Sequence, residues 1–394
     1  MAAWNIVSIS SVCEIQRGGS PRPIEDFITD ADDGINWIKI GDVATGAKYV
    51  TTTKEKIRPE GAKRSREVRY GDFLLSNSMS FGRPYILRTS GCIHDGWLVL
   101  RYDKKLLTED YLYHVLSSDF VYAQFVKFAV GAVVKNLNSE VVKHVKIPLP
   151  PISEQRRIAA ILDQADALRA KRREALAQLD SLTQSIFIEM FGDPARNPRS
   201  WPIKRLEELV PSDDTINYGV VQPGDDVEDG VPLVRVGDLI DGHVHHSSLK
   251  RIAATIESAY RRSRLKGDEI LVSCVGSVGV VALADRSVNG YNIARAVARV
   301  RLVNQAGRKY VASHLRSLHT QRYFTSELRT VSQPTLNIKQ LSETKIMCPP
   351  MQLQEVFAAR IEIFERVKAA QQASLASANA LFASLQHRAF RGEL

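Results

Sequence analysis

Two stretches of this chain are patterned as long helices, and the rest is not. From Ser153 to Phe191 there is neither proline nor glycine, and Gly192-Asp193-Pro194 then stops the run. Ser153 is placed to cap the start, and Glu154 suits the positive end of the helix dipole. Apolar residues recur at alternating steps of three and four through Ile158, Ile161, Ala165, Leu168, Arg172, Ala175, Leu179, Leu182 and Ile186. This is a heptad seam broken once, at Arg172, and a polar seam residue tends to fix register at a cost in stability. Adding 199 to each number gives Phe357, Arg360, Phe364, Val367, Gln371, Ser374, Ala378, Leu381 and Leu385, with Gln371 at the level of Arg172. At 1.5 Å per residue, helices over about 153–191 and 352–390 each reach roughly 58 Å. Neither seam is rich enough to stand exposed alone. The two are expected to pair antiparallel as a coiled coil, with a globular module at either end.

The helices belong to a repeat that runs through the whole chain. The 199-residue shift carries Leu137-Asn138 to Leu336-Asn337, Ile147 to Ile346, Pro150-Pro151 to Pro349-Pro350, Gln155 to Gln354 and Phe191 to Phe390 without a gap. A shift of 196 carries Gly41-Asp42 to Gly237-Asp238 and Gly71-Asp72 to Gly267-Asp268, and Trp4 answers to Trp201. The order is globular, helical, globular, helical, with boundaries expected at 1–150, 151–194, 195–350 and 351–394. Pseudo-symmetry also requires the ends of the chain to meet, since Trp201 follows Phe191 closely.

Both globular parts read as mixed α and β, giving an α+β fold with two pseudo-symmetric modules separated by the helices. Strand patterns fall at 34–40, 73–76, 96–102 and 143–148, and again at 231–236, 269–273 and 296–303. A helical period covers 109–128 and 310–328. Turn-rich loops containing Arg17, Ser20 and Arg22, and Asn217, Tyr218 and Gln222, stand at equivalent places. Each is expected just after the first short amphipathic helix of its module.

Charge sharpens this picture. Residues 1–150 hold 20 Lys and Arg against 17 Asp and Glu (+3), residues 195–350 hold 22 against 16 (+6), and the helical segments hold 11 against 11. The excess accounts for the net +9 and points to a polyanion met by the globular parts. Lys54, Lys56, Arg58, Lys63, Arg64, Arg66 and Arg69 precede the first module's second Gly-Asp; Lys250, Arg251, Arg261, Arg262, Arg264 and Lys266 precede its counterpart. Clusters of this kind beside Tyr49, Tyr70 and Tyr260 suit phosphate contacts on duplex DNA.

Signatures of chemistry are missing. Gly276-Ser-Val-Gly279 lacks the following Lys-Ser/Thr of a phosphate-binding loop, and His243-Val-His245-His246 has no cysteine or acid at metal-ligand spacing. No nucleophile elbow, cofactor loop or Asn/Asp-Pro-Pro-Tyr/Phe stretch is found. The four cysteines, Cys13, Cys92, Cys274 and Cys348, are scattered as in a reduced protein. With no membrane-length apolar run and no signal segment, a cytoplasmic protein away from the membrane is expected.

The residues at this point resemble the specificity subunits of type I restriction-modification systems. The resemblance rests on Leu137-Asn138, on Ile147-Pro-Leu-Pro-Pro-Ile-Ser-Glu-Gln-Arg-Arg-Ile158, on Gln333-Pro-Thr-Leu-Asn337, on Phe191-Gly-Asp-Pro194, on the paired Gly-Asp motifs and on the duplication. The second copy departs in having Leu353 where the first has Glu154. The resemblance implies two target-recognition domains, each reading half of a bipartite asymmetric sequence in double-stranded DNA, and helices that act as a ruler. It implies a chain without catalysis or cofactor of its own. Two adenine-N6 methyltransferase subunits would carry S-adenosylmethionine, and any nuclease-translocase partner would carry ATP and Mg. Two other classes stay open on the residues alone: a stand-alone DNA-binding regulator or coiled-coil adaptor, and a self-contained adenine methyltransferase.

Overall fold

A computed structural model describes residues 4–44, 46–77, 81–129, 137–330 and 333–394. The chain forms two compact units, residues 1–173 with 373–394, and residues 174–372. The helices Ile152–Phe191 and Met351–Ala389 are therefore each shared between the two.

In the first unit, Cys13–Arg17, Trp97–Tyr102, Phe73–Ser76, Pro84–Leu87 and Tyr49–Val50 form a sheet in that order. In the second, Asn217–Tyr218, Val297–Val300, Ile270–Ser273, Val281–Leu283, His243–Val244 and Leu239–Ile240 repeat the order with one strand more. Phe73–Ser76 and Ile270–Ser273 are buried along their whole length, as central strands covered on both faces must be. A second sheet beside each carries the basic segments. It runs Ile28–Thr29, Glu55–Ile57, Ile35–Ile38, Gly91–Ile93, Arg66–Val68 in one unit and Lys250–Ile252, Val231–Val234, Asn292–Ile293 in the other.

The repeated motifs turn out to be fasteners. Asp42 and Asp238 each accept the backbone N–H three residues back, at 2.8 Å. Asp72 accepts from Arg69 N and Arg101, and Asp268 pairs with Arg301. Asn138 caps the helix Ser139–His144, and the Leu137 and Leu336 amides donate to Asn77 O and Cys274 O. Buried Gln155 and Gln354 donate to Pro150 O and Pro349 O at 2.9 and 2.8 Å, holding the entry to each long helix. Tyr111 and Tyr310 donate to Pro148 O and Met347 O.

Each unit is completed by the end of the helix that begins in the other. Ile158 and Leu162 share the first unit's core with Ala389 and Phe390, and Trp4 Nε1 donates to Ala389 O at 3.3 Å. Phe187 and Phe191 share the second unit's core with Phe357 and Ile361, and Trp201 Nε1 donates to Phe191 O at 3.0 Å. In the first unit the two helical segments run antiparallel, with Arg169 bonding Asn379 while Arg157 reaches Leu394 O. Trp4 thus meets the end of the second long helix, as the repeat requires.

Three local expectations need correction. The first long helix starts at Ile152, so Ser153 lies inside it instead of capping it. The 109–128 and 310–328 helices are each broken, at Ser117-Ser118 and at Ser317, where the Ser317 hydroxyl accepts the Thr320 N–H and starts a new helix. The turn-rich loops follow short strands, preceded only by single 3-10 turns at Ile9–Ser11 and Leu206–Leu209.

The seam is displaced at alternate members. Leu168 (55%), Leu182 (44%), Val367 (43%) and Leu381 (53%) are exposed, as is Arg360. Their C-terminal neighbours face inward instead: Arg169 stacks on Phe382 at 4.2 Å, Ile361 is buried, and Phe382 packs on the first core. Residues three and four along a helix straddle the same line, and the position of the partner helix decides which one is covered. Ile158, Ala165 and Phe357 are buried as expected, with Ile161, Leu179, Ile186, Phe364 and Leu385 half-buried. Phe382→Ala is accordingly expected to destabilise the protein by about 3 kcal/mol. Leu381→Ala should stay within about 0.5 kcal/mol. Denaturant unfolding of both variants checks the displaced seam; equal losses would restore the original one.

Candidate nucleic-acid interface

The structure brings the basic segment and the turn-rich loop together in both modules. Arg66 Nε donates to Arg17 O at 3.3 Å, and Arg262, its counterpart at a shift of 196, donates to the Thr215 hydroxyl at 3.3 Å. Further along, the Lys250 ammonium bonds Gly224 O, and the Arg251 amide donates to Asp226.

The loops lie tight against a turn of the neighbouring sheet. Gly19 N donates to Ile93 O at 3.1 Å, and Val220 N donates to Ile293 O at 2.7 Å. A Cβ on Gly18 would fall 2.0 Å from His94 O, and one on Gly219 would fall 1.6 Å from Ile293 O. Only glycine permits backbone to approach backbone this closely.

The predicted cations divide into free and committed. Lys54, Lys56, Arg58, Lys63 and Arg261 make no side-chain hydrogen bond or ion pair among the described residues, and all but half-buried Lys56 are exposed. Arg64 lies over the Phe27 ring at 5.5 Å, and Arg69 makes an exposed pair with Glu67 at 3.5 Å. Arg264 is committed to buried Glu257 through two bonds of 2.7 and 2.5 Å, which hold that carboxyl below its usual range. Lys266 pairs with Asp214 at 3.0 Å, and Arg251 also donates to Gly230 O.

Asp214 is the anchor of the second loop's base. It pairs with Lys266 and with Arg299, which is only 2% exposed. Burial alone would raise the Asp214 carboxyl, but the bonds from Arg299 and Lys266 outweigh it and hold the group at about 2. Arg299 also donates to Arg262 O at 2.6 Å, so this buried network fixes the arginine that bonds Thr215, just ahead of the strand that leads into the loop.

Among the predicted loop residues, Arg17, Arg22 and Gln222 are exposed and Ser20 is half-buried. Tyr218 is an anchor, donating to Leu336 O at 2.8 Å, and Asn217 donates to Thr215 O. His246 contacts the Ser287 hydroxyl, and no group of three potential metal ligands occurs among the described residues. The four cysteines are unpaired thiols. No helix is long and apolar enough to cross a membrane among the described residues. Sequence reading missed Asp214, Arg299, Glu257 and Asp95, because isolated acids and one interior arginine carry no spacing signal.

Comparison with known proteins bears on this geometry. The profile described as the type I restriction modification DNA specificity domain matches residues 1–178 and 198–377. The chain belongs to that family. The Escherichia coli type I restriction enzyme EcoBI specificity subunit is 28% identical over the whole chain and 86% of its own length. The EcoKI specificity subunit of strain K12 is 23% identical over 99% and 89%. Among solved structures, one from work on complex assembly and conformational transition of the type I R-M system shares the fold at TM-score 0.57 and 20% identity, covering 100% of this chain and 99% of that one. The S subunit from M. genitalium does so at TM-score 0.53 and 16% identity, covering 98% and 96%. The chain is thus the DNA-recognising, non-catalytic component of a type I restriction-modification enzyme, working with DNA and with methyltransferase and restriction subunits. Family membership removes the stand-alone regulator and the self-contained methyltransferase.

The two basic segments make a direct prediction. Arg64→Ala with Arg66→Ala, or Arg261→Ala with Arg262→Ala, should weaken DNA binding by the assembled complex and flatten its salt dependence. Two lost phosphate contacts reduce the log–log salt slope by roughly 2. Binding isotherms at several salt concentrations check this; unchanged slopes in both variants would turn these segments away from DNA.

Proposed function

We propose that residues 1–150 and 195–350 are two target-recognition domains, each reading one half of a bipartite DNA sequence. Segments 151–194 and 351–394 would then fix the gap between the halves. The observation that carries this reading is the recurrence, in both modules, of a basic segment bonded to a glycine-seated loop, through Arg66 to Arg17 O in one and through Lys250 to Gly224 O in the other. Phosphate contacts orient such a platform and loop side chains read base edges.

The outward apolar residues support the stoichiometry of partners. Leu168 and Leu381 belong to one unit, and Val367 and Leu182, their counterparts at 199, belong to the other. Two equivalent apolar patches suit two copies of one adenine-N6 methyltransferase subunit. S-adenosylmethionine would sit on those subunits, and ATP with Mg on a nuclease-translocase subunit where one is present. The site of action would be the cytoplasm, where the DNA is.

Methylation-site sequencing of DNA treated with the reconstituted complex tests the reading. One bipartite site should appear. Inserting one heptad in the 170s and another in the 370s should widen the gap and leave the half-sites alone. Seven residues add about 10 Å, or roughly 3 bp. Altered half-site bases with an unaltered gap would contradict the ruler.

A further inference from the structure

The turn beneath each loop is the same device in both modules with one reversal of charge. In the first module Trp97 N donates to His94 O, Asn77 N to Gly96 O, and Gly19 N to Ile93 O. In the second, Val297 N donates to Ala294 O, Cys274 N to Ala296 O, and Val220 N to Ile293 O. The turn positions correspond at a shift of 200, so Asp95 and Arg295 occupy the same place in the same hydrogen-bonded turn. Both reach solvent: the Asp95 side chain is 44% exposed, and Arg295 is exposed.

We infer that Asp95 and Arg295 are specificity-determining residues that read base edges with opposite chemistry. Both stand on turns locked to the loops that Arg66 and Lys250 hold beside the basic segments. Asp95 is already oriented for this, because Ser20 Oγ donates to its Oδ1 at 3.1 Å and Asn77 donates to its carbonyl at 2.7 Å. Among the described residues its Oδ2 pairs with the highly exposed Arg22, at 3.5 Å. A carboxylate has about four acceptor positions, so it retains capacity for an amino donor. In the major groove those donors are cytosine N4 and adenine N6. Arg295 has no side-chain hydrogen bond or ion pair among the described residues. An unengaged guanidinium matches guanine O6 and N7. One position in an otherwise repeated turn would thus help one chain read two unlike half-sites.

This inference rests on the proposed half-site reading, and methylation-site sequencing separates the two. The reconstituted complex should methylate one bipartite site with cytosine or adenine at a position governed by Asp95 and guanine at one governed by Arg295. Asp95→Asn should cut discrimination at one position of one half-site, and Arg295→Gln should shift one position of the other half from guanine toward adenine. Losses of discrimination of about tenfold to a hundredfold are expected, that being the range of one good base contact. A complex without any bipartite site overturns the function proposed above. A site that survives both substitutions unchanged overturns this assignment alone. So does an Arg295→Gln complex that loses affinity equally for all sequences with a salt slope shallower by about 1, the mark of a phosphate contact. Because the Arg295 side chain makes no hydrogen bond or ion pair among the described residues, its result decides the matter even if Asp95→Asn disturbs the Ser20 clamp.

Discussion

Everything in this protein depends on a core that neither half of the chain can close by itself. The first module's apolar interior ends on Ala389 and Phe390, which arrive from the far end of the sequence, and the second module's interior ends on Phe187 and Phe191. The aromatic group formed by Phe187, Phe191, Tyr310 and Phe357 has ring centroids 4.7 to 6.3 Å apart, within the range where edge-to-face contacts add to simple burial. The indoles of Trp4 and Trp201 then tie the arriving helix ends to the strand that opens each module. Each copy of the duplicated sequence lends its helix end to the other's core.

That constraint explains what can vary. The helix entries are fixed by buried glutamines on proline carbonyls, and the Gly-Asp turns within the modules by aspartates bonded to their own backbone. Variation is left to the loops after the first sheet strand and to the turns beneath them. The glycines at 18 and 219 press each loop onto its turn, so side chains there are displayed from a rigid base instead of a mobile one. The Asp214–Arg299 network braces the second module.

Much of this was legible in the sequence, for identifiable reasons. A gap-free 199-residue repeat made the length of the helices readable, although the first begins at Ile152 and not after a Ser153 cap. The heptad members Ile158, Ala165 and Phe357 were readable for the same cause. Leu168 and Leu381 were misplaced because period alone cannot choose between neighbours that straddle one line, and the arginine stem of Arg169, stacked on Phe382, looks polar in a sequence. The basic segments were visible as charge, but which cations are free was not: Arg264 and Lys266 are committed to Glu257 and Asp214, acids without any motif. Asp95 and Arg295 escaped notice because the turn repeats at 200, between gaps that broke the simpler registers.

The central claim is that two equivalent modules read separate halves of one target. Methylation-site sequencing of a complex whose residues 195–350 are replaced by the second module of the 28% identical Escherichia coli relative tests it most directly. The account predicts a hybrid site, with one half-site unchanged and the other taken from the donor. A site in which neither half of the original survives would contradict it.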